Sequence, residues 1–570
     1  MNGHQAPGKY FLLLVLLVAI LLQILAIHQI RRVGHRLDGV CEQFEQYLQQ
    51  YPRKPAAKHP YTSPQDYQSH SATTNALTWA LRVEPRTLNP LSPEADAYCR
   101  WVAVPYIFEP LLVYDFNDLR MKPWLAKSYH VSDDGLQIEF ELRDDVLFSD
   151  GRPLTSKDVV FTYNASAAAG NLCTQVKNVV ATDAYSVTFY LEKPYFKALE
   201  DLGFCNCGIL PEHIHRQDPS RRHRTEPAAI VGTGPFMLDK WRRGERLVLC
   251  RNDRYWGVKP KLQKIIYRFI SDSTAAVRAL RSGQVDLIIP DTDQYVALTA
   301  DPHFTAEFLC LSYWSPGTPF YFIAWNNDMV FFNDRRSRLA MTHLLDRSEI
   351  VERLMGGLGR VVTGPSHIEG SQDDRTIRPW PYDPNRAAGL LDAAGWVDTD
   401  GDGIREKNGT PFRFHLLYAA DNLLYRRIAR LLKSEAAKVG IDVLPEPMEW
   451  SVLYQRIKDR NFEAAIMGWS ADMADDPYLL WHSSQVGAGN NFAGFRNPNA
   501  DALTETIRRT LNADERNELC RQLHRLIHNQ QPCTFLFARP SLRIVNRRFH
   551  NIRIYKLGLK YWQWYATDQR

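Results

Sequence analysis

Residues 11–27, FLLLVLLVAILLQILAI, form an apolar run broken only by Gln23. A chain that folds in water buries such a surface, and this one is too continuous for a half-exposed helix. At 1.5 Å per residue the run reaches about 25 Å, and about 30 Å when carried on to Ile30, the thickness of a hydrocarbon core. The sequence continues Ile27-His28-Gln29-Ile30-Arg31-Arg32, without the small-x-small pair of a signal-peptide cleavage site. Residues 1–32 are therefore predicted to be an uncleaved membrane anchor with its transmembrane helix at 11–30. A lipid-anchored cysteine does not fit, because Cys41 follows Asp38-Gly39-Val40 well beyond the run. Leu37, Val40, Phe44, Tyr47 and Leu48 then recur at spacings of three and four, which predicts an amphipathic stalk over 33–51, either self-associating or a spacer. Residues 52–73, rich in Pro, Ser and His, read as an extended linker.

The folded part must lie beyond residue 73. At 45% hydrophobic and 23% charged residues the chain is too apolar to be disordered, and its length predicts more than one structural unit. Sixty-nine Lys and Arg against 64 Asp and Glu leave +5, too dilute to imply nucleic acid. Strand, helix and turn signals alternate in mixed order, which predicts an α/β body. In Leu136–Gly151, LQIEFELRDDVLFSDG, the apolar Ile138, Phe140 and Leu142 alternate with Glu139, Glu141 and Arg143, giving a half-buried strand followed by an Asp150-Gly151 turn. Thr155 with Asp158 three residues on has the form of a capping box opening a helix at 159–169.

The stretch Ala126–Asn164, AKSYHVSDDGLQIEFELRDDVLFSDGRPLTSKDVVFTYN, resembles the extracellular solute-binding proteins of family 5, the peptide- and nickel-binding receptors of ABC importers. The resemblance continues in order through Ile209-Leu210-Pro211-Glu212-His213, Gly232-Thr233-Gly234-Pro235-Phe236 and Arg251-Asn252-Asp253-Arg254-Tyr255-Trp256. It goes on through residues 279–287 (ALRSGQVDL), 333–340 (NDRRSRLA), 398–406 (DTDGDGIRE) and 468–472 (GWSAD), spanning residues 74–570. It implies a two-lobed periplasmic-binding-protein (Venus-flytrap) fold with an extra subdomain. Lobe I maps to 74–108, 230–314 and 536–570, the inserted subdomain to 109–229 and lobe II to 315–535. The chain would cross between lobes near Pro316-Gly317 and near Pro532.

The resemblance also names candidate ligand-binding residues. It implies that Asp472 pairs with the α-ammonium of a peptide; alternatively Asp472, with Asp475 and Asp476, forms a solvated acidic loop or caps the helix near Pro477. Trp469 either presents a flat wall beside that site or packs in the core. Trp325 and Asn326 end the strand 320–324 near the implied cleft, where the Asn amide would bond a peptide backbone or satisfy a turn. Asn491, on a Gly-rich loop, would complete the wall or lie on the surface.

Other clusters carry their own alternatives. Asp398, Asp400 and Asp402 match the first positions of a calcium loop, but the twelfth position is Gly409, which favours a tight helix-to-strand connection. Cys205, Cys207, His213 and His215 are zinc-type ligands at weak spacing, and disulfides from Cys173 to Cys205 or Cys207, or from Cys520 to Cys533, compete with them or fit an oxidising compartment. The basic run His215-Arg216 and Arg221-Arg222-His223-Arg224 reads as a solvated loop. No Gly-x-Ser-x-Gly elbow, His-Glu-x-x-His, Walker loop or dinucleotide fingerprint is present. The expectation is a non-enzymatic receptor without cofactor, exported although Arg31, Arg32 and Arg36 outnumber Lys9, and tethered to the cytoplasmic membrane. It would capture a peptide or similar small solute and deliver it to an ABC permease. A ligand sensor using the same lobes, and a metal-dependent hydrolase at the Cys/His cluster, are the alternatives.

Overall fold

The computed structural model describes residues 75–567 apart from 93, 105, 169–174, 205–206, 217–225, 471 and 473. The predicted anchor, stalk and linker lie outside the described residues, as do Cys41, Cys173, Cys205 and most of the basic run. The chain divides at Thr73/Thr74 into two units, and the described residues all belong to the second, 74–570. Among the described residues no helix is long and apolar enough to cross a membrane.

Three sheets organise this unit. A seven-stranded sheet runs in the order Phe308–Tyr313, Ser541–Asn546, Leu287–Ile288, Ala76–Leu81, Lys264–Phe269, Arg246–Arg251, Phe236–Arg242. Ala76–Leu81 pairs in parallel with both of its neighbours, and the remaining pairs are antiparallel. A six-stranded sheet runs Arg360–Val361, Cys533–Ala538, Pro319–Trp325, Ala464–Ser470, Arg413–Ala419, Asp442–Met448. A four-stranded antiparallel sheet, Ala126–Val131, Gln137–Leu142, Ser186–Leu191, Val176–Ala181, is formed by the part of the chain between Ala76–Leu81 and Phe236–Arg242. The result is a mixed α/β, two-lobed body in which the chain passes between the large sheets twice. The first passage lies between Tyr313 and Pro319. The second lies at Arg539-Pro540 rather than near Pro532, because Cys533–Ala538 pairs with Pro319–Trp325 from Cys533 to Ala538, across one bulge, before the chain leaves.

Local sequence explains the elements. In Gln137–Leu142 the alternation is realised, with Ile138, Phe140 and Leu142 buried and the intervening residues exposed. Asp150 accepts the Arg152 amide while Gly151 turns at φ +93°, a left-handed conformation that favours glycine. Both the amide and the hydroxyl of Thr155 donate to Asp158 Oδ2, at 2.9 and 3.0 Å, and the helix opens at Ser156 and ends at Ala168. The other oxygen of Asp158 accepts the Glu212 amide at 2.9 Å, so one carboxylate starts one helix and anchors another. The two glycines of Gly232-Thr233-Gly234 have a packing role. A Cβ on Gly232 would stand 2.0 Å from the Ile107 carbonyl oxygen, and one on Gly234 would stand 2.3 Å from that of Tyr106.

Two cores follow from this layout. One, containing Trp325, Phe332 and Trp396, fills the six-stranded half. The other, containing Phe108, Phe140, Tyr267 and Trp564, is shared by the seven- and four-stranded sheets. Glu109 ties that shared core together. Its buried carboxylate accepts from Trp124 Nε1 (2.8 Å), the Tyr255 hydroxyl (2.6 Å) and Trp256 Nε1 (3.0 Å). Burial pushes its pKa up to about 7, against the pull of those donors.

Candidate functional site

A cavity of about 250 Å³ opens between the two halves. One wall comes from the four-stranded half: Tyr195, Lys197 and Asp201, around the start of helix Ala198–Phe204. The other comes from the six-stranded half: Trp469 and Ser470 at the end of a strand, then Asp472, Asp475, Asp476 and Pro477, and Cys520, Leu523 and His524 on helix Ala513–Gln530. Within that strand, Gly468 lies opposite Tyr321, whose ring would come within 3.1 Å of a Cβ there.

The acidic loop is held by its own backbone and by a clamp. The Asp472 amide donates to the Asp475 carboxylate at 3.1 Å, while Gln372 accepts the Asp475 amide at 2.9 Å and donates to the Asp475 carbonyl at 3.1 Å. Asp476 is spoken for: Arg508 donates to it at 2.6 Å, the Tyr195 hydroxyl at 3.2 Å and the Tyr478 amide at 3.1 Å. Asp472 is not so enclosed. Its side chain is 54% exposed and stands 3.7 Å from Lys197 Nζ across the cavity.

Charge is unevenly distributed in this space. Burial works against the Lys197 ammonium, but Glu200 at 3.1 Å, with Asp472, Asp201 and Asp475, outweighs it and holds the group above lysine's usual pKa. Burial, reinforced by the charge of Asp472, pushes the Asp475 carboxyl up to about 7. Burial and neighbouring His528 press His524 down to about 4, so its imidazole is neutral near pH 7. Both of its nitrogens are engaged, Nε2 with the Thr363 hydroxyl at 3.0 Å and Nδ1 accepting the Asp374 amide at 3.1 Å.

Of the ligand residues expected from sequence, Asp472 and Trp469 line the cavity. Trp325, Asn326 and Asn491 do not. Trp325 is fully buried, its indole donating to Thr534 Oγ1 at 3.1 Å. Asn326 donates to the Phe462 carbonyl at 2.8 Å and accepts from Arg460, the turn-satisfying arrangement. Asn491 is neither in the wall nor on the surface: it is buried, donating to the Phe495 carbonyl at 2.8 Å and accepting the Phe495 amide at 3.0 Å. Lys197, Tyr195 and Asp201 carried no motif; only the charge density of Lys197-Ala198-Leu199-Glu200-Asp201 marks them.

The metal-type clusters fare differently. Asp398, Asp400 and Asp402 converge with Glu406, their carboxylates within 4.8 Å, on an exposed loop. Each carboxylate already accepts loop groups: Asp398 from Gly401 and Gly403, Asp400 from Asp402, Asp402 from Ile404, and Glu406 from Thr399. That bonding is what a tight connection between helix Pro384–Ala393 and strand Arg413–Ala419 requires. No zinc-type set forms at Cys207, His213 and His215 among the described residues. His213 is bonded to Asp150 at 2.7 Å, His215 stacks on Phe161, and Cys207 lies 3.6 Å from Ser166 Oγ. Cys520 and Cys533 are separate thiols, so the disulfide between them is corrected: Cys520 reaches the cavity from its helix while Cys533 lies in a sheet.

Known proteins share this architecture. A model of the bacterial extracellular solute-binding proteins, family 5 middle region, matches residues 120–491. The oligopeptide-binding protein AppA of Bacillus subtilis is 31% identical over 475 residues, 80% of this chain and 84% of that protein. The solved structure of Bacillus subtilis AppA in complex with a nonapeptide superposes with a TM-score of 0.74 at 27% identity, covering 87% of this chain and all of that one. NikZ from Campylobacter jejuni in complex with Ni(L-His) superposes with a TM-score of 0.74 at 25% identity over the same shares.

Proposed function

The chain belongs to the family 5 bacterial extracellular solute-binding proteins, receptors of ABC importers, and from that premise we propose that it captures a peptide by its free amino end and passes it to an importer permease. The observation carrying this reading is the half-exposed Asp472 carboxylate at a cavity wall, with Trp469 on the same wall. A ligand ammonium there gains a charge-assisted bond in a partly dehydrated space, and the indole offers an apolar face beside it. The inward commitment of His524 supports a peptide over a metal chelate, since the lining imidazole has no nitrogen left for a metal. Residues 11–30 would keep the receptor beside its permease, raising the local concentration of loaded protein.

The test is a thermal-shift measurement with short peptides and their N-acetylated counterparts. A free peptide at about 100 times its Kd should stabilise the protein by about 2.7 kcal/mol. Asp472→Asn should weaken free-peptide binding by about 30-fold, roughly 2 kcal/mol for a partly exposed ion pair between ligand and receptor. Equal responses to free and acetylated peptides would remove Asp472 from this role.

A pH dependence follows from Asp475. Ionisation of its carboxyl near pH 7 adds negative charge beside Asp472, and a bound cation favours the ionised form. Affinity for a free-amino peptide is therefore expected to rise between pH 6 and about 7.5, then level off as the peptide's own amine, with a pKa of about 8, loses its proton. Calorimetric titration across this range should show the rise in the wild-type protein and a flatter profile in Asp475→Asn.

A further inference from the structure

We infer that the ligand is held at both ends, and that Arg543, at the hinge end of the seven-stranded half, receives its terminal carboxylate. This rests on the peptide reading above for the class of ligand and adds the residue that meets the far end.

Three arginines are buried among the described residues, and they differ in what they bond. Arg338 gives all three guanidinium nitrogens to main-chain carbonyls, those of Gln531 at 2.9 Å, Phe332 at 2.7 Å and Gln530 at 3.0 Å. Arg347 gives two, to the carbonyls of Phe535 and Trp380. Both fasten backbone. Arg543, only 7% exposed, is served less well: Nη1 donates to the Leu542 carbonyl at 2.8 Å, Nε reaches the Tyr561 hydroxyl at 3.3 Å, and Nη2 has no partner among the described residues. The groups acting on its charge are phenols, Tyr561 and Tyr313, and no carboxylate among the described residues bonds to it. An arginine stays protonated in a protein, so a buried guanidinium short of acceptors is costly unless an anion completes it.

Its surroundings lack acceptors as well. The Arg543 guanidinium lies 5.8 Å from the ring centre of Trp101, and Trp79 packs against Trp101, Tyr561 and Tyr267 with ring centres 5.8, 4.9 and 5.7 Å away. Trp79 Nε1 and Tyr267 Oη are buried without a partner, so donors outnumber acceptors throughout the cluster. One side is open, because Trp101 is 47% exposed. A carboxylate entering there supplies the missing acceptors, and the rings beside it exclude water and strengthen its bond to the guanidinium.

Position in the fold ties the cluster to the ligand site. Arg543 is the third residue of Ser541–Asn546, just after the second passage between the halves. Tyr313, bonded to the Tyr561 hydroxyl, ends Phe308–Tyr313 just before the first passage. Across that passage, the ring of His367 bonds the Ser315 carbonyl at 3.0 Å and lies within electrostatic reach of Asp472. The Asp472 carboxylate and the Arg543 guanidinium therefore flank one passage, each in its own half. A ligand that engages both ends contacts both halves, and its binding favours the closed arrangement.

The experiment is calorimetric titration of the full-length protein in detergent with alternating Ala-Ser peptides of about three, five and seven residues, each as free acid, C-terminal amide and N-acetylated acid, lengths that bracket an extended ligand at roughly 3.3 Å per residue. At the length that binds best, the amide is expected to bind about tenfold more weakly than the acid. Arg543→Lys keeps the charge but loses the planar fork, and it should weaken the acid while leaving the amide unchanged. Trp101→Ala, at an exposed rim position, should narrow the same gap, and it carries the test if Arg543→Lys does not fold. Equal affinity for acid and amide at every length, or variants that weaken acid and amide alike, would overturn the inference while leaving the amino-end reading in place. An amide ending in glutamate that binds as tightly as the free acid would assign Arg543 to a side-chain carboxylate and overturn the terminal one. Undiminished binding of the acetylated acid with the acid–amide gap intact would overturn the amino-end reading alone, and failure of every free acid to bind would overturn both.

Discussion

Glu109→Leu is expected to lower the unfolding free energy by about 4 kcal/mol, with Glu109→Gln losing about half as much. The leucine leaves two indole N–H groups and a phenol hydroxyl, those of Trp124, Trp256 and Tyr255, without their buried acceptor. An unsatisfied buried donor costs about 1–3 kcal/mol, and removal of a buried charge returns part of the total. Glutamine keeps one acceptor oxygen but turns an amide N–H₂ toward a donor. The pH dependence separates the two contributions. Burial raises the folded-state pKa of Glu109 to about 7, above its unfolded value near 4.5, so between those values the folded protein holds the extra proton. Stability contributed by Glu109 is therefore full below about pH 4.5 and declines as the pH rises toward 7. Urea unfolding of wild type and Glu109→Gln at pH 5 and pH 8 should show the smaller difference at pH 8. A difference that does not change would mean that Glu109 is ionised throughout.

Such a carboxylate illustrates what a sequence conceals. Glu109 sits in Phe108-Glu109-Pro110, with no alternation and no cap to mark it, and its three donors come from distant parts of the chain. By contrast, Gln137–Leu142 could be read directly, because one of its faces is solvated and period-two alternation survives there. Strand Pro319–Trp325 has no such signal. Phe322 through Trp325 are consecutively buried, so position in the strand says nothing about facing the cleft, and Trp325 points into a core instead. Asn326 and Asn491 were ambiguous for another reason: a short amide bonds a nearby backbone as readily as a ligand, and in both cases the backbone wins. Asp472 was legible through its motif. Its partner Lys197 was not, because an ion pair across a cavity depends on how two halves meet.

The same dependence gives the second large effect. Asp476→Ala is expected to cost about 3–5 kcal/mol in stability, the range for removing one partner of a buried pair. The Asp476 side chain is only 4% exposed, and three separate segments end on it. Arg508 belongs to helix Pro498–Arg509, Tyr478 begins the short helix Tyr478–Trp481, and Tyr195 comes from the opposite wall of the cavity. The Arg508 guanidinium also lies 3.8 Å from the Tyr478 ring centre, and its carbonyl accepts the Phe196 amide at 3.1 Å, so loss of its counter-ion loosens both sides at once. Tyr195→Phe removes the bond that crosses the cavity to Asp476. It should cost about 1 kcal/mol of stability or less, yet it weakens closure by the same amount, and so peptide affinity by up to about fivefold. Arg508 and Asp476 lie in one half, so a double-mutant cycle on them should show coupling in urea unfolding whether or not peptide is bound. A cycle on Tyr195 and Asp476 should show its coupling chiefly in peptide affinity. If both cycles coupled only in stability, the carboxylate would be a structural fastener, and closure over the ligand would have to rest on the Lys197–Asp472 pair.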